Sequence, residues 1–200
     1  MGPDSSRPGL GRRRQALVRG DWRWVRQVHG AGVVVVEGPG QGRGEEADAL
    51  VTRLAGTPLA VFSADCAAVA LSSPEGVAGA AHAGWRGVLA GVLEQAVEAM
   101  GVLGATRVEA AVGPCIHPEC YEFSPADLDR VAARLGGEVV ATTAWGSPAL
   151  DLPAAVAASL RRAGAGVASL DARCTACDPE LFSHRARREA ERQALVVWRD

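Results

Sequence analysis

The sequence predicts a single α/β domain. Short apolar runs with strand character outnumber helical stripes, and no long linker or internal repeat divides the chain. Its 200 residues, 48% of them apolar, are enough for one sizeable core. A boundary falls near residue 21. Residues 1–21 carry Gly, Pro, Ser and Arg with little periodicity and are expected to form an irregular, weakly held segment; residues 22–200 hold the domain.

Taken in order, Trp22–Val28 and Val33–Glu37 are strand candidates on either side of a Gly30-Ala31-Gly32 turn, because β-branched and aromatic residues suit a pleated, half-buried surface. Gly38–Glu46 reads as a glycine-rich polar loop, and Ala47–Thr52 leads from it into the centre of the chain. The apolar runs Leu59–Phe62 and Ala67–Leu71 are interrupted by Ser63-Ala64-Asp65-Cys66. A polar turn over Ser72–Gly76 precedes a small-residue run, Val77–Ala81, so two strands come back on each other. Val88–Met100 places Val88, Leu89, Val92, Leu93, Ala96 and Met100 close to one helical stripe, which Gly101 can cap. Val108–Val112 is a short buried strand ending in Gly113-Pro114-Cys115-Ile116. Pro125–Leu135 predicts a helix with Ser124 as N-cap and Gly136-Gly137 as its stop; Asp151–Ala163 predicts another, with Pro153 in its first turn. Gly166–Asp171 and Ala194–Trp198 complete the strands.

Composition narrows the function. The formal net charge is −2, and the basic clusters Arg12–Arg14 and Arg185–Arg192 read as solvated faces. No basic stripe with interleaved aromatics exists, so no nucleic-acid partner is expected. No run approaches the ~18 apolar residues of a membrane span. Met1–Gly20 lacks an apolar signal core, so no membrane association is expected and the expected location is cytoplasmic. Five cysteines, an odd number, then argue for reduced thiols rather than a disulfide framework.

The chemistry centres on Leu59–Gly87. Cys66 lies six residues before Ser72 and His82 six after Gly76, so a hairpin places thiol and imidazole side by side. Gln27-Val28-His29-Gly30 offers a second imidazole just before Val33–Val36. One thiolate and two imidazoles suit zinc with a fourth position left open, and zinc lowers the pKa of a bound water to about 7. Two other readings of the same residues stay open. They could be unrelated buried residues, since free Cys is commonly buried, or Cys66 and His82 could form a nucleophile pair.

Cys174-Thr175-Ala176-Cys177 is a CxxC without the second half-site of a zinc ribbon and without a thioredoxin-like βαβ around it. It is read as structural and dispensable for metal. Cys115 and Cys120 flank Ile116–Glu119, where they could bind metal with His117 or simply pack. Ser183-His184-Arg185, with Arg187 and Arg188, offers groups that suit a phosphate, or else an exposed basic helix.

The order of Gln27-Val28-His29, Ala47–Thr52, Ala64-Asp65-Cys66, His82-Ala83-Gly84-Trp85-Arg86-Gly87, Gly113-Pro114-Cys115-Ile116 with Cys120-Tyr121-Glu122, and Cys174-Thr175 through Phe182-Ser183-His184-Arg185 resembles the laccase-domain family of purine nucleoside phosphorylases, once described as multicopper polyphenol oxidases. The resemblance runs from Trp24 to Trp198. It implies a compact domain of packed mixed β-sheets with flanking helices. It also implies Zn2+ (Cu2+ being the other candidate) on His29, Cys66 and His82. The implied reaction is phosphorolysis of adenosine, inosine and methylthioadenosine to base and ribose 1-phosphate, with adenosine deaminase activity on the side. The partners would be a purine nucleoside and phosphate, and the assembly a monomer or homodimer. Asp65 and Arg86, adjacent to ligands, are the catalytic candidates; Gln27, Ser183 and Arg185 are candidates for substrate or phosphate binding.

Two departures carry an expectation of their own. The family's opening stretches, Arg-x-Gly-Gly-Val-Ser and Asn-Leu-Gly, do not precede Trp22, and its paired arginines followed by Thr-Gly-Arg become Arg185–Arg192. Phosphate-dependent cleavage is therefore expected to suffer more than deamination. Three alternatives remain. A copper-dependent phenol oxidase would share the two-histidine, one-cysteine set, but blue-copper centres usually add an axial methionine. Here only Met1 and Met100 exist, and a multicopper enzyme needs more than four histidines. The others are a Cys-His hydrolase using Cys66 and His82, and a zinc-binding partner protein without catalysis.

Overall fold

The computed structural model describes residues 17, 18 and 20–200, so the irregular segment expected over residues 1–21 lies almost wholly outside the described residues. The strands are β1 (Arg23–Arg26), β2 (Val33–Val36), β3 (Arg43–Glu46), β4 (Ala49–Thr52), β5 (Leu59–Ser63), β6 (Ala67–Ser72), β7 (Ala78–Ala83), β8 (Glu109–Val112), β9 (Val140–Thr142), β10 (Pro148–Leu150), β11 (Gly166–Leu170) and β12 (Gln193–Val197). The helices are α1 (Trp85–Ala90), α2 (Val92–Val102), α3 (Pro125–Leu135), α4 (Leu152–Arg162) and α5 (His184–Arg187).

A six-stranded sheet in the order β11-β8-β6-β7-β4-β2 lies at the centre, and a four-stranded sheet in the order β12-β5-β1-β3 covers one of its faces. Both are mixed: β2 runs parallel to β4 and β8 parallel to β11, while β4, β7, β6 and β8 alternate. Side chains along a strand alternate between faces, and the central strands are buried on both. From β4, Ala49 and Val51 enter the core beneath the helices while Leu50 enters the core between the sheets. β6 divides likewise, with Val69 and Leu71 on the helix side and Ala68 on the other; so does β7, with Ala81 and Ala83 against Ala80. All six residues of β7 are buried, which explains its run of alanine and glycine. A fully buried leucine such as Leu50 or Leu71 contributes roughly 1.5–3 kcal/mol by leaving water.

Local signals account for the helices. The α2 residues Val92, Leu93, Ala96 and Met100 are buried on one stripe. Ser124 caps α3 by accepting from the Asp127 N–H at 3.2 Å, and Asp151 caps α4 by accepting from the Ala154 N–H at 2.8 Å. Both helices carry proline in their first turn.

The structure differs from expectation in three places. The stripe over Val88–Met100 is split between α1 and α2 by Gly91, whose left-handed backbone (φ 94°) ends one helix and starts the next; Gly101 is inside α2 rather than at its cap. The polar stretch expected to be a loop contains β3, an exposed edge strand on β1. Its charges hide it from an apolar pattern, because an edge strand is protected by Arg43 and Glu46, which pair with Asp21 and Arg26. The hairpin of β9 and β10 has no apolar alternation either.

Candidate metal centre and its surroundings

His82 is next to last in β7, on the same face as Ala80, and it pairs across the antiparallel ladder with Ala68 of β6. Cys66 immediately precedes β6, so the hairpin juxtaposes the two as its spacing suggests. His29, in the turn after β1, completes the group: its Nε2 lies 3.9 Å from Cys66 Sγ, and its ring meets that of His82 edge to face with centroids 4.9 Å apart. One donor atom from each of the three lies within 4.8 Å of the others. Together they could hold a metal ion.

Asp48, just ahead of β4, organises this group and was not singled out from the sequence. It is fully buried, and its carboxylate accepts from the backbone N–H groups of Val28 (3.2 Å), His29 (3.0 Å) and Gly30 (2.7 Å). The same carboxylate takes His82 Nδ1 at 2.8 Å, and its carbonyl accepts from the His82 N–H at 2.7 Å. One side chain therefore fixes the His82 imidazole and the backbone of His29, which is held in the left-handed region (φ 60°). With Nδ1 taken by Asp48, Nε2 is the His82 nitrogen left to hold an ion, the arrangement of metal-binding histidines backed by a carboxylate.

The charges agree with that role. Burial pushes the Cys66 thiol up, but the hydrogen bonds and charges of His29 and His82 outweigh it and bring it down to about 6. Burial pushes His82 down, but Asp48 and Cys66 outweigh it and raise it to about 9. Burial also works against the Asp48 carboxylate, yet His82 and the Gly30 N–H hold it below its usual range. A thiolate beside imidazoles and a buried carboxylate is a donor set of the kind that zinc or copper takes.

The HAGWRG stretch closes over the group. A Cβ at Gly84 would lie 2.9 Å from Cys66 Sγ and 3.0 Å from His29 Cδ2, and one at Gly87 would lie 3.0 Å from the Gly30 carbonyl oxygen. Only glycine lets this segment come so near.

The other residues singled out fall into separate places. Asp65, beside Cys66, has φ 86° and is mostly buried. Its Oδ1 accepts from Thr175 Oγ1 (2.8 Å) and Ser183 Oγ (2.7 Å), and its Oδ2 from the Arg185 N–H (2.6 Å). Ser183 also caps α5 by accepting from the Ala186 N–H at 3.1 Å. Arg185 donates through Nη1 to the Glu122 carbonyl at 2.9 Å and lies over the Tyr121 ring at 4.8 Å. Gln27 clamps the backbone of Phe62 with both ends of its amide, at 2.7 and 2.8 Å. Arg86 is exposed and stacked on Trp85 at 4.5 Å; among the described residues no carboxylate pairs with it. Cys115 is buried in the core, whereas Cys174 and Cys177 are met by Cys120 and Glu119 in a second group whose donor atoms also lie within 4.8 Å of one another. Among the described residues no helix is long and apolar enough to cross a membrane.

Comparison with known proteins agrees with the motif order. Residues 10–200 match the family described as multi-copper polyphenol oxidoreductase laccase. The chain is 43% identical over 181 residues to a purine nucleoside phosphorylase of Streptomyces coelicolor, covering 88% of this chain and 74% of that protein. It is 40% identical over 178 residues to one from Mycobacterium tuberculosis, covering 88% and 71%. Among solved structures, YlmD of Geobacillus stearothermophilus is 31% identical with a TM-score of 0.78, covering 90% of this chain and 74% of that one. YfiH of Bacillus licheniformis, 24% identical with a TM-score of 0.84 over 94% and 79%, shares the fold. The chain thus belongs to the multi-copper polyphenol oxidoreductase laccase family, and its relatives at about 40% identity are named purine nucleoside phosphorylases.

Proposed function

We propose that this chain is a zinc-dependent purine nucleoside phosphorylase acting on adenosine, inosine and methylthioadenosine, with adenosine deaminase activity on the side. The observation that carries the reading is the His29, Cys66 and His82 group held by Asp48, in a chain whose relatives at about 40% identity are named purine nucleoside phosphorylases. Zinc held by these three residues would supply a Lewis acid to a polar substrate group. In phosphorolysis a phosphate oxygen bonds to C1′ of the ribose as the bond from C1′ to the purine nitrogen breaks, and the base leaves with that electron pair and takes up a proton. In deamination, water adds at C6 of adenine and ammonia leaves.

The protein's part in phosphorolysis is to hold two substrates together and to balance charge. Arg86, stacked on Trp85 and exposed, is suited to receive phosphate through its planar fork. Arg185, held by its contacts to Tyr121 and Glu122, would be a second anchor. Asp65 acts as a positioning residue, since Thr175, Ser183 and Arg185 already fill its carboxylate. Ser183 works through Asp65, and Gln27 through β5. Incubation of the purified protein with adenosine across a phosphate series tests the reading. Adenine and ribose 1-phosphate that appear only with phosphate support it; zinc-loaded protein that yields neither adenine nor inosine overturns it.

The chain of Cys66, His82 and Asp48 also fits a cysteine nucleophile, because the thiol is held at about 6 beside an imidazole backed by a carboxylate. Chelation separates the two readings. A phosphorylase loses activity with its metal, whereas a Cys-His hydrolase keeps or gains activity and becomes sensitive to alkylation at Cys66.

A further inference from the structure

We infer that Glu119, Cys120, Cys174 and Cys177 form a second metal site, built to take one zinc-class divalent ion in a closed, structural role. The sequence shows only half of it, a lone CxxC. The fold supplies the rest. β8 and β11 are parallel neighbours, and the segments leaving their C-terminal ends meet at a bridge between Cys115 and Cys174, where the Thr175 N–H donates to the Cys115 carbonyl at 3.0 Å. The first segment runs through Pro118–Cys120, a single 3-10 turn that carries Glu119 and Cys120. The second folds into a tight turn, with the N–H groups of Cys177 and Asp178 both donating to the Cys174 carbonyl at 3.2 and 2.9 Å.

The donor atoms are spaced for coordination. Cys120 Sγ and Cys177 Sγ are 3.2 Å apart, Cys177 Sγ lies 3.8 Å from Glu119 Oε1, and all four donors lie within 4.8 Å of one another. A tetrahedral ion with zinc–sulfur bonds of about 2.3 Å sets its ligand atoms about 3.8 Å apart. The His117 N–H already donates to Cys174 Sγ at 3.3 Å, the kind of contact that orients a ligand from outside the coordination shell. Three thiolates with one carboxylate make a soft, anionic set, in contrast to the two imidazoles and one thiolate at the first site. Four protein ligands leave no open position, which distinguishes a structural site from a catalytic one.

The ion would have a mechanical task. Thr175 sits inside the CxxC turn and donates to Asp65, the neighbour of Cys66. Arg187 ties the same turn to α5 by donating to the carbonyls of Thr175 and Ala176. From residue 171 to β12 the only regular element is the four-residue α5, so this stretch buries little apolar surface of its own. A metal cross-link is a usual remedy where packing is thin.

The site is tested by metal counting, with readouts that do not depend on any one variant folding. The full chain, purified under reducing conditions and loaded with zinc, should hold two equivalents of zinc; Cys66→Ala should keep one, and Cys120→Ser/Cys177→Ser should also keep one. In unaltered protein, Cys120, Cys174 and Cys177 should resist iodoacetamide until a chelator is added. Cobalt(II) loaded into Cys66→Ala should show intense thiolate-to-cobalt absorption. A single equivalent that disappears in Cys66→Ala, equal alkylation of the three cysteines with and without metal, or a Cys120–Cys177 disulfide in the zinc-loaded protein would each overturn the inference. A positive result stands whether or not the protein cleaves adenosine, so this inference and the proposed function can fail separately.

Discussion

The two cysteine-bearing groups are built from opposite materials. His82 sits on β7 and Cys66 at the start of its hairpin partner β6, both at the centre of the main sheet, and a fully buried carboxylate braces the His82 imidazole and the backbone that carries His29. Glu119, Cys120, Cys174 and Cys177 instead hang on turns beyond the ends of β8 and β11, with Cys177 exposed to solvent. The first group is organised before any ion arrives, because packing and hydrogen bonds already set its geometry. The second leans on few buried contacts, so an ion there would create order rather than exploit it. A site with three donors held on and beside the central strands suits chemistry; one with four donors on loops suits fastening.

The sharpest way to break this contrast is to remove the brace. Asp48→Ala leaves the buried His82 and three N–H groups without their acceptor, and a loss of about 3–5 kcal/mol in stability is expected. Urea unfolding measures it. Asp48→Asn keeps the shape but removes the charge and turns one accepting oxygen into a donor; about 10–100-fold weaker metal binding at the first group is expected, with the second group unaffected. A competition titration against a chromophoric chelator reads both sites.

Gly84→Ala probes the fit rather than the charge. Its Cβ must displace Cys66 or His29, so metal binding should weaken at the first group, at a stability cost of about 1–3 kcal/mol. Unchanged metal affinity would mean that the approach of Gly84 is incidental. A smaller effect is expected from Thr175→Val, which removes one hydrogen bond to Asp65 and leaves a carboxylate oxygen with one donor fewer; about 1 kcal/mol is reasonable. Its signature is faster hydrogen exchange over residues 171–192, while the strands carrying His82 stay protected. The smallest structural effect belongs to Arg86→Ala. The side chain is exposed, so unfolding should barely change, within about 0.5 kcal/mol. The KM for phosphate should nonetheless rise about tenfold, in keeping with the loss of one charge-assisted contact.

Much of the first group could be read from the chain. The distances of Cys66 and His82 from their shared turn announce a hairpin, and β6 and β7 form it with Ala68 opposite His82. The start of α3 was readable for the same local reason: Ser124 satisfies an N–H within the first turn of its own helix, as Asp151 does for α4. Asp48 escaped because an aspartate between two alanines before a strand has no local signature. Its four donors come from residues 18 to 34 positions away. β3 escaped because its residues are those that keep an edge strand from pairing further, and they read as a loop.

By itself, the sequence determined the α/β class, the strands of the central hairpin, the cap of α3, and a family identity carried by an ordered set of short motifs. Those are properties of neighbouring residues, set by side-chain periodicity, turn chemistry and N–H groups that need partners close by. Only the tertiary structure decided that Asp48 braces both histidines, that Asp65 gathers Thr175, Ser183 and Arg185, and that Cys120 meets Cys177. The last pair is 57 residues apart. Nothing local brings such residues together; the parallel pairing of β8 with β11 does.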